Sequence, residues 1–325
     1  MRTYRIPGID LEVSRIALGC MTLSRVGNTG DPAEAEVAEA RALIDAALAQ
    51  GINLFDHADI YANGRSEQLF GAVLRQSPDL RDRIVLQSKC GIRFAGDPNP
   101  DSPGRYDFSR SHIVSSVEGS LHRLGTDHLD LLLLHRPDPL LEPAEVAAAF
   151  DQLQRDGKVL HFGVSNHTGT QISLLRKHLD QPLVVNQVEL SLPHHALIDE
   201  GVVFNRQTNR GTANVAGTLD YCREHGILLQ AWSPLAGGRL GRPATDTDAS
   251  LLSAREEVQR QALAHGCTAE AILLAWLLRH PAGIQPIVGT TRPQRLADGC
   301  VADRIELGRE DWYRLYIAAR GAALP

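Results

Sequence analysis

The stretch Leu129-Asp130-Leu131-Leu132-Leu133-Leu134-His135 decides the fold. Side chains alternate sides along a β-strand, so four consecutive leucines do not suit a strand with one wet face. Covered on both faces, the same run is what a parallel strand between helices requires. A helical pattern over 143–156 follows it, and the strand closes on His135-Arg136, two polar side chains delivered to one end.

The alternation extends in both directions from this strand. Before it, strands over 14–20, 53–58 and 84–90 precede helices over 33–50, 66–76 and 109–124. After it, strands over 161–165, 183–190, 227–232 and 284–288 precede helices over 169–178, 213–224, 251–265 and 293–303. Eight strand-helix units predict an α/β chain closed as a (β/α)8 TIM barrel. A doubly wound sheet is disfavoured, because no G-x-G-x-x-G follows the first strand. Apolar residues on either side of Pro7-Gly8-Ile9-Asp10 predict an N-terminal β-hairpin cap. Two extra helices are expected outside the barrel, an amphipathic one over 268–279 and a C-terminal one over 309–319. A single domain over 1–325 is expected, with the polar segments 194–212 and 239–250 as lids.

Composition narrows the class of function. With 325 residues, 43% of them hydrophobic, the chain can bury a large core without disulfides. Its five cysteines form no C-x-x-C pair, which predicts reduced thiols, a cytoplasmic setting and no zinc or redox centre. His194-His195 lacks a carboxylate at metal spacing, so no metal is expected. A net charge of -6 with mixed signs argues against nucleic acid, and no apolar run has the length of a membrane span. A small-molecule substrate is the reading that remains.

In a (β/α)8 barrel, chemistry belongs at the C-terminal ends of the strands. Those ends carry Asp56 with Tyr61 five residues on, Gln87-Ser88-Lys89, His135-Arg136, Ser165-Asn166, Asn186-Gln187 and Trp232-Ser233. A phenol titrates near pH ~10, and the Lys89 ammonium is expected to lower that value by favouring the phenolate. Asp56 is expected to pair with Lys89, and His135 to hydrogen-bond a carbonyl oxygen that Tyr61 protonates, which is general acid catalysis. His57 and Asp59 are expected to cap the loop or face solvent.

These residues, with Gly163-Val164-Ser165-Asn166 and Trp232-Ser233-Pro234-Leu235, resemble the aldo-keto reductase superfamily over nearly the whole chain. The resemblance implies a catalytic tetrad of Asp56, Tyr61, Lys89 and His135, and hydride transfer from a bound nicotinamide to an aldehyde or ketone. It also implies that Ser165, Asn166 and Gln187 hold the nicotinamide carboxamide while Trp232 stacks on the ring. The loop with Ser233, Pro234, Leu235, Gly237, Gly238 and Arg239 is expected to bring bare backbone N–H groups to the pyrophosphate. The segment with Gly289, Thr290, Arg292, Gln294 and Arg295 opens the eighth helix, and in the family it holds the adenosine 2'-phosphate, which favours NADPH over NADH. Asp298-Gly299 stands where many members have Glu-Asn, and Gly289 where a lysine is usual; Arg292 is expected to share the phosphate.

Two other functions are compatible with parts of this pattern. A Schiff-base aldolase would need Lys89 neutral, which Asp56 opposes. A regulatory protein similar to the potassium-channel β subunits would bind NADPH with little turnover. Cys20-Met21-Thr22, Arg93-Phe94 and Arg136 are candidates to shape the substrate pocket, with Arg93 and Arg136 read as solvated. The oligomeric state is not legible in the sequence.

Overall fold

The computed structural model of the protein describes residues 1–24, 30–203, 216–241 and 249–325. Two antiparallel strands come first, β1 (Thr3–Arg5) and β2 (Glu12–Ser14), with Tyr4 opposite Val13. Then follow β3 (Ala17–Gly19), α1 (Glu34–Ala49), β4 (Leu54–Asp56), α2 (Arg65–Gln76) and β5 (Val85–Cys90). A short antiparallel pair, β6 (Ile92–Arg93) and β7 (Arg105–Tyr106), precedes α3 (Arg110–Leu124), β8 (Leu129–Leu134), α4 (Pro143–Arg155), β9 (Val159–Ser165) and α5 (Gly169–Arg176). The second half runs through β10 (Leu183–Glu189), α6 (Ala196–Val203), α7 (Thr218–Glu224), β11 (Leu228–Trp232) and α8 (Ala249–Ala264). It ends with α9 (Ala269–Leu278), β12 (Gln285–Val288), α10 (Pro293–Cys300) and α11 (Arg309–Arg320).

The strands β3, β4, β5, β8, β9, β10, β11 and β12 pair in parallel in that order and close on themselves. The leucines of β8 show why. Leu131 and Leu133 pack inside the barrel with Leu54, Val85, Val185, Leu228 and Ile287, while Leu132 and Leu134 belong to the outer core shared with Val146 and Phe150 of α4. Each such burial contributes roughly 2 kcal/mol. Ile6 and Val13 of the hairpin join the inner cluster and close the barrel floor. Inside, Gly163 leaves room for its neighbours, since a Cβ there would stand 2.6 Å from the side chain of Leu133.

Helix starts follow the local chemistry. Ser109, Thr168 and Thr268 each accept a hydrogen bond from a backbone N–H of the first turn of α3, α5 and α9. Three expectations are corrected. Helix α9 is not amphipathic; it is buried at every position except Glu270. Trp276 of α9 stacks on Trp312 of α11 with centroids 5.2 Å apart, and α8 also packs on α9. Helix α9 therefore serves as the crossover helix against β12, and α8 is the outer one. Helix α6 and the β6–β7 pair were not expected, being too short to show periodicity. Of the proposed lids, 204–212 and 242–248 lie outside the described residues. No single helix among the described residues is long and apolar enough to cross a membrane.

Candidate active site

Inward positions alternate along β5, so Val85 joins the apolar floor while Gln87 and Lys89 stand above it. Lys89 is 0% exposed. Its Nζ donates to Asp56 Oδ2, to the backbone oxygen of His57 and to Tyr61 Oη, each at 2.8 Å. An ammonium has three protons, and all three are used. Tyr61 is brought back to this point by consecutive tight turns, its N–H bonded to Ala58 O and its carbonyl accepting from Gly64 N. Ala62, Asn63 and Gly64 carry φ of 49°, 55° and 83°, a left-handed run that delivers the chain into α2.

The electrostatics correct one expectation. Burial pushes the Tyr61 phenol above its ordinary value and the Asp56 carboxylate adds to this, against the opposing pull of Lys89. The phenolate loses more by leaving water than it gains from one ammonium already paired with Asp56. Burial would lower Lys89, but Asp56 and Tyr61 outweigh it and hold the ammonium above its ordinary value. At neutral pH the group is a charged lysine donating to a protonated phenol, whose own proton is left to point elsewhere.

His135 follows β8, its N–H bonded to Cys90 O at 2.9 Å. Its ring stands 6.0 Å from that of Tyr61 and nearly perpendicular to it. Burial, with the positive charges of Lys89 and Arg136, lowers its value to about 2, so the imidazole is neutral. Its Nδ1 is enclosed without a partner among the described residues.

His57 departs from expectation. His57 is 0% exposed, packed edge-on against Phe70 at 4.7 Å, with both ring nitrogens enclosed and without a partner among the described residues. Burial and Lys89 lower it to about 3. Asp59 is raised to about 7 by burial and by Glu67. His57 does not face water, because the turns after β4 fold this loop back onto α2; Asp59, half-buried, bonds the loop backbone at Ile60, the capping role that was the other expectation.

Beside Asp56, Tyr61, Lys89 and His135 lies a ring of amides. Asn166, at φ 60°, donates through Nδ2 to His135 O at 3.1 Å and Ser165 Oγ at 2.8 Å, and its Oδ1 accepts from Trp232 Nε1 at 2.9 Å. Ser165 Oγ donates to Gln187 O at 2.9 Å. Asn166 Oδ1 keeps a second lone pair, and Gln187 Oε1 accepts from no described residue. These spare acceptors suit the N–H donors of a nicotinamide carboxamide. The neighbouring Asn186 instead turns outward, donating to His167 O at 2.9 Å.

The segments expected to carry the rest of the cofactor are more committed than their sequence suggests. In the loop after β11, N–H groups of Ala236, Gly238, Arg239 and Gly241 bond carbonyls of the loop's own turns. It therefore offers a phosphate fewer bare donors than its glycines imply. Arg295 donates to Glu270 at 2.9 Å, and Gln294 to Asp298 at 2.8 Å. Arg292 is exposed at the N-cap of α10, with its N–H on Thr290 Oγ1 at 3.2 Å. Glu270 joins the two segments, since a Cβ at Gly241 would stand 3.2 Å from its Oε1.

Arg93 is not simply solvated, because it bonds Asp97 at 2.8 Å and Asp107 at 2.9 Å. Nor is Arg136, whose guanidinium carbon stands 5.6 Å above the Trp232 ring. His194 and His195 diverge, the latter bonded to Leu192 O at 2.8 Å. Sequence reasoning overlooked Gln230 and Gln285, which bond to one another beneath Asp56. The signal was there: Gln230 lies two residues before Trp232, and Gln285 two before Ile287, on the inward side of each strand.

Comparison with known proteins agrees with the barrel fold. The model of the Aldo/keto reductase family matches residues 15–319. The chain is 40% identical to "Uncharacterized oxidoreductase YcsN" of Bacillus subtilis over 97% of both chains. It is 39% identical to "6-dehydroglucose reductase" of Agrobacterium fabrum over 96% of both. In fold it matches aldo-keto reductase AKR11C1 from Bacillus halodurans (holo form), with a TM-score of 0.76 and 24% identity over 99% of this chain and 97% of that one. The chain thus belongs to the aldo/keto reductase family and is an NAD(P)H-dependent oxidoreductase.

Proposed function

We propose that the protein reduces an aldehyde or ketone to an alcohol with NADPH, Tyr61 acting as the general acid. The observation that carries this reading is the three-way bond of Lys89 Nζ to Asp56, His57 O and Tyr61 Oη. Lys89 donates to the phenol oxygen, so the phenol's own proton is directed to a substrate oxygen. The reduced nicotinamide supplies the hydride when bound. Asp56 keeps Lys89 charged, and Lys89 stabilises the phenolate left behind as charge develops. His135, held neutral by burial, has one N–H to offer the same carbonyl oxygen.

Ser165, Asn166 and Gln187 would hold the carboxamide, and Trp232, fixed by Asn166, would present its ring to the nicotinamide. Arg292, Thr290 and Arg295 would hold the 2'-phosphate, with Arg295 leaving or sharing Glu270. A hydrophilic sugar aldehyde is the substrate class to test first, because relatives 39% and 37% identical bear the name 6-dehydroglucose reductase. We read the chain as one domain acting in the cytoplasm.

The experiment follows NADPH absorbance with a panel of aldehydes, sugar dialdehydes included. Oxidation of NADPH with one of them supports the reading. Tight NADPH binding with no turnover on any carbonyl would favour a regulatory binding protein instead.

A further inference from the structure

Below Lys89 the barrel holds four buried glutamines, Gln87 on β5, Gln187 on β10, Gln230 on β11 and Gln285 on β12. Their bonds form a closed pattern. Asp56 Oδ1 accepts from Gln87 Nε2 at 2.6 Å and from Gln187 Nε2 at 3.0 Å. The second proton of each of those amides goes to one atom, Gln230 Oε1, at 2.9 and 3.0 Å. Asp56 Oδ1, Gln87 Nε2, Gln230 Oε1 and Gln187 Nε2 thus make a four-membered ring in which each oxygen receives two N–H groups and each nitrogen gives two.

Gln230 is itself fixed. Its Nε2 donates back to Gln87 Oε1 at 3.0 Å and onward to Gln285 Oε1 at 2.9 Å. Gln285 Nε2 then donates to Ser14 O at 2.6 Å, where the hairpin closes the floor. Both protons of Gln87, Gln187 and Gln230 have a partner, so turning any one amide over would set acceptor against acceptor or donor against donor. With Oδ1 held by two amides, Asp56 presents only Oδ2 to Lys89, at 2.8 Å.

We infer that Gln87 and Gln230 are positioning residues for the reduction: they hold Asp56 so that a single carboxylate oxygen meets Lys89, which leaves the ammonium free to serve Tyr61. This rests on the reductase reading above. Neither glutamine touches the phenol, and both act through Asp56. An apolar core of the same volume would fill the barrel equally well. A saturated amide ring adds direction, which filling alone does not.

A double-mutant cycle with Gln87→Met and Asp56→Asn tests this, read as kcat for NADPH-dependent aldehyde reduction. Gln87→Met alone should lower kcat about tenfold, the size of one buried hydrogen bond to a charged group, with NADPH affinity unchanged. In the Asp56→Asn background it should lower kcat less than about twofold, because the group it acts through is gone. Equal losses in both backgrounds would overturn the inference and leave Gln87 a packing residue.

A second measurement needs no turnover. The ultraviolet difference between each protein and its Tyr61→Phe counterpart reports ionisation of Tyr61 alone. Gln87→Met should move that midpoint upward, since the Asp56 charge then falls more fully on Lys89. An unmoved midpoint overturns the inference. If the parent protein oxidises NADPH with no aldehyde, the reductase reading fails while this titration still decides the role of Gln87. Should Gln87→Met not fold, Gln230→Met breaks the same ring and carries the same two expectations.

Discussion

The phenol oxygen of Tyr61 lies 2.8 Å from Lys89 Nζ, yet the phenol is held above its ordinary value and not below it. The contact does not prepare a phenolate in the resting protein. It keeps a protonated phenol next to a cation that becomes most favourable once the proton has left.

Reduction should therefore hold steady across neutral pH and fall only in the alkaline range, above the ordinary phenol value of ~10. On the proposed role of Tyr61 the acid form is the active one, so the rate is lost as pH rises through the raised value. The pH profile of kcat measures it, and a fall centred below about pH 8 would count against a raised phenol.

Lys89→Met should be costly for stability as well as rate. It strands the buried Asp56 carboxylate, a loss of roughly 3–5 kcal/mol for one half of a buried pair. Asp56→Asn combined with Lys89→Met should recover much of that loss. Thermal denaturation of the three variants checks it, and a double variant no more stable than Lys89→Met would show that the charge is not the cause.

Much of this is legible in the sequence, and the reason is periodicity. Leu131 to Leu134 reported a strand covered on both faces, and the residues proposed for catalysis fell at strand ends or in the loops just beyond because the alternation of strands and helices placed those ends. What the sequence could not show was commitment. The Arg295 side chain reads as free to bind phosphate until Glu270, twenty-five positions away, is seen to hold it. His57 reads as polar until the turns after β4 fold it against Phe70. Helix α9 reads as an outer helix because the cover supplied by Trp312 comes from a distant segment.

Arg292→Ala and Arg295→Ala should each weaken NADPH binding about tenfold while leaving NADH nearly unchanged, as expected for charge-assisted bonds to a phosphate only NADPH carries. Glu270→Gln should act in the opposite sense by releasing Arg295. Dissociation constants for both cofactors decide it. Unchanged NADPH affinity in both arginine variants would show that the phosphate binds elsewhere.

His57 and Asp59 should give the stability opposite slopes with pH. His57 refuses until about 3 a proton that the unfolded chain takes at 6.5, so its share of stability is lost as pH falls from 6.5 toward 3. Asp59 keeps to about 7 a proton that the unfolded chain releases at 3.8, so its share is lost as pH rises from 3.8 toward 7. His57→Leu should thus raise Tm more at pH ~5 than at pH ~8, and Asp59→Asn the reverse. Tm measured at both values tests the pair, and parallel shifts would contradict the assignment.

The most direct test of the proposed proton donor is Tyr61→Phe, which removes one oxygen and leaves the ring. NADPH affinity should be unchanged while aldehyde reduction falls about a hundredfold or more, the size expected for loss of a general acid. Retained reduction with intact NADPH binding would contradict the role of Tyr61.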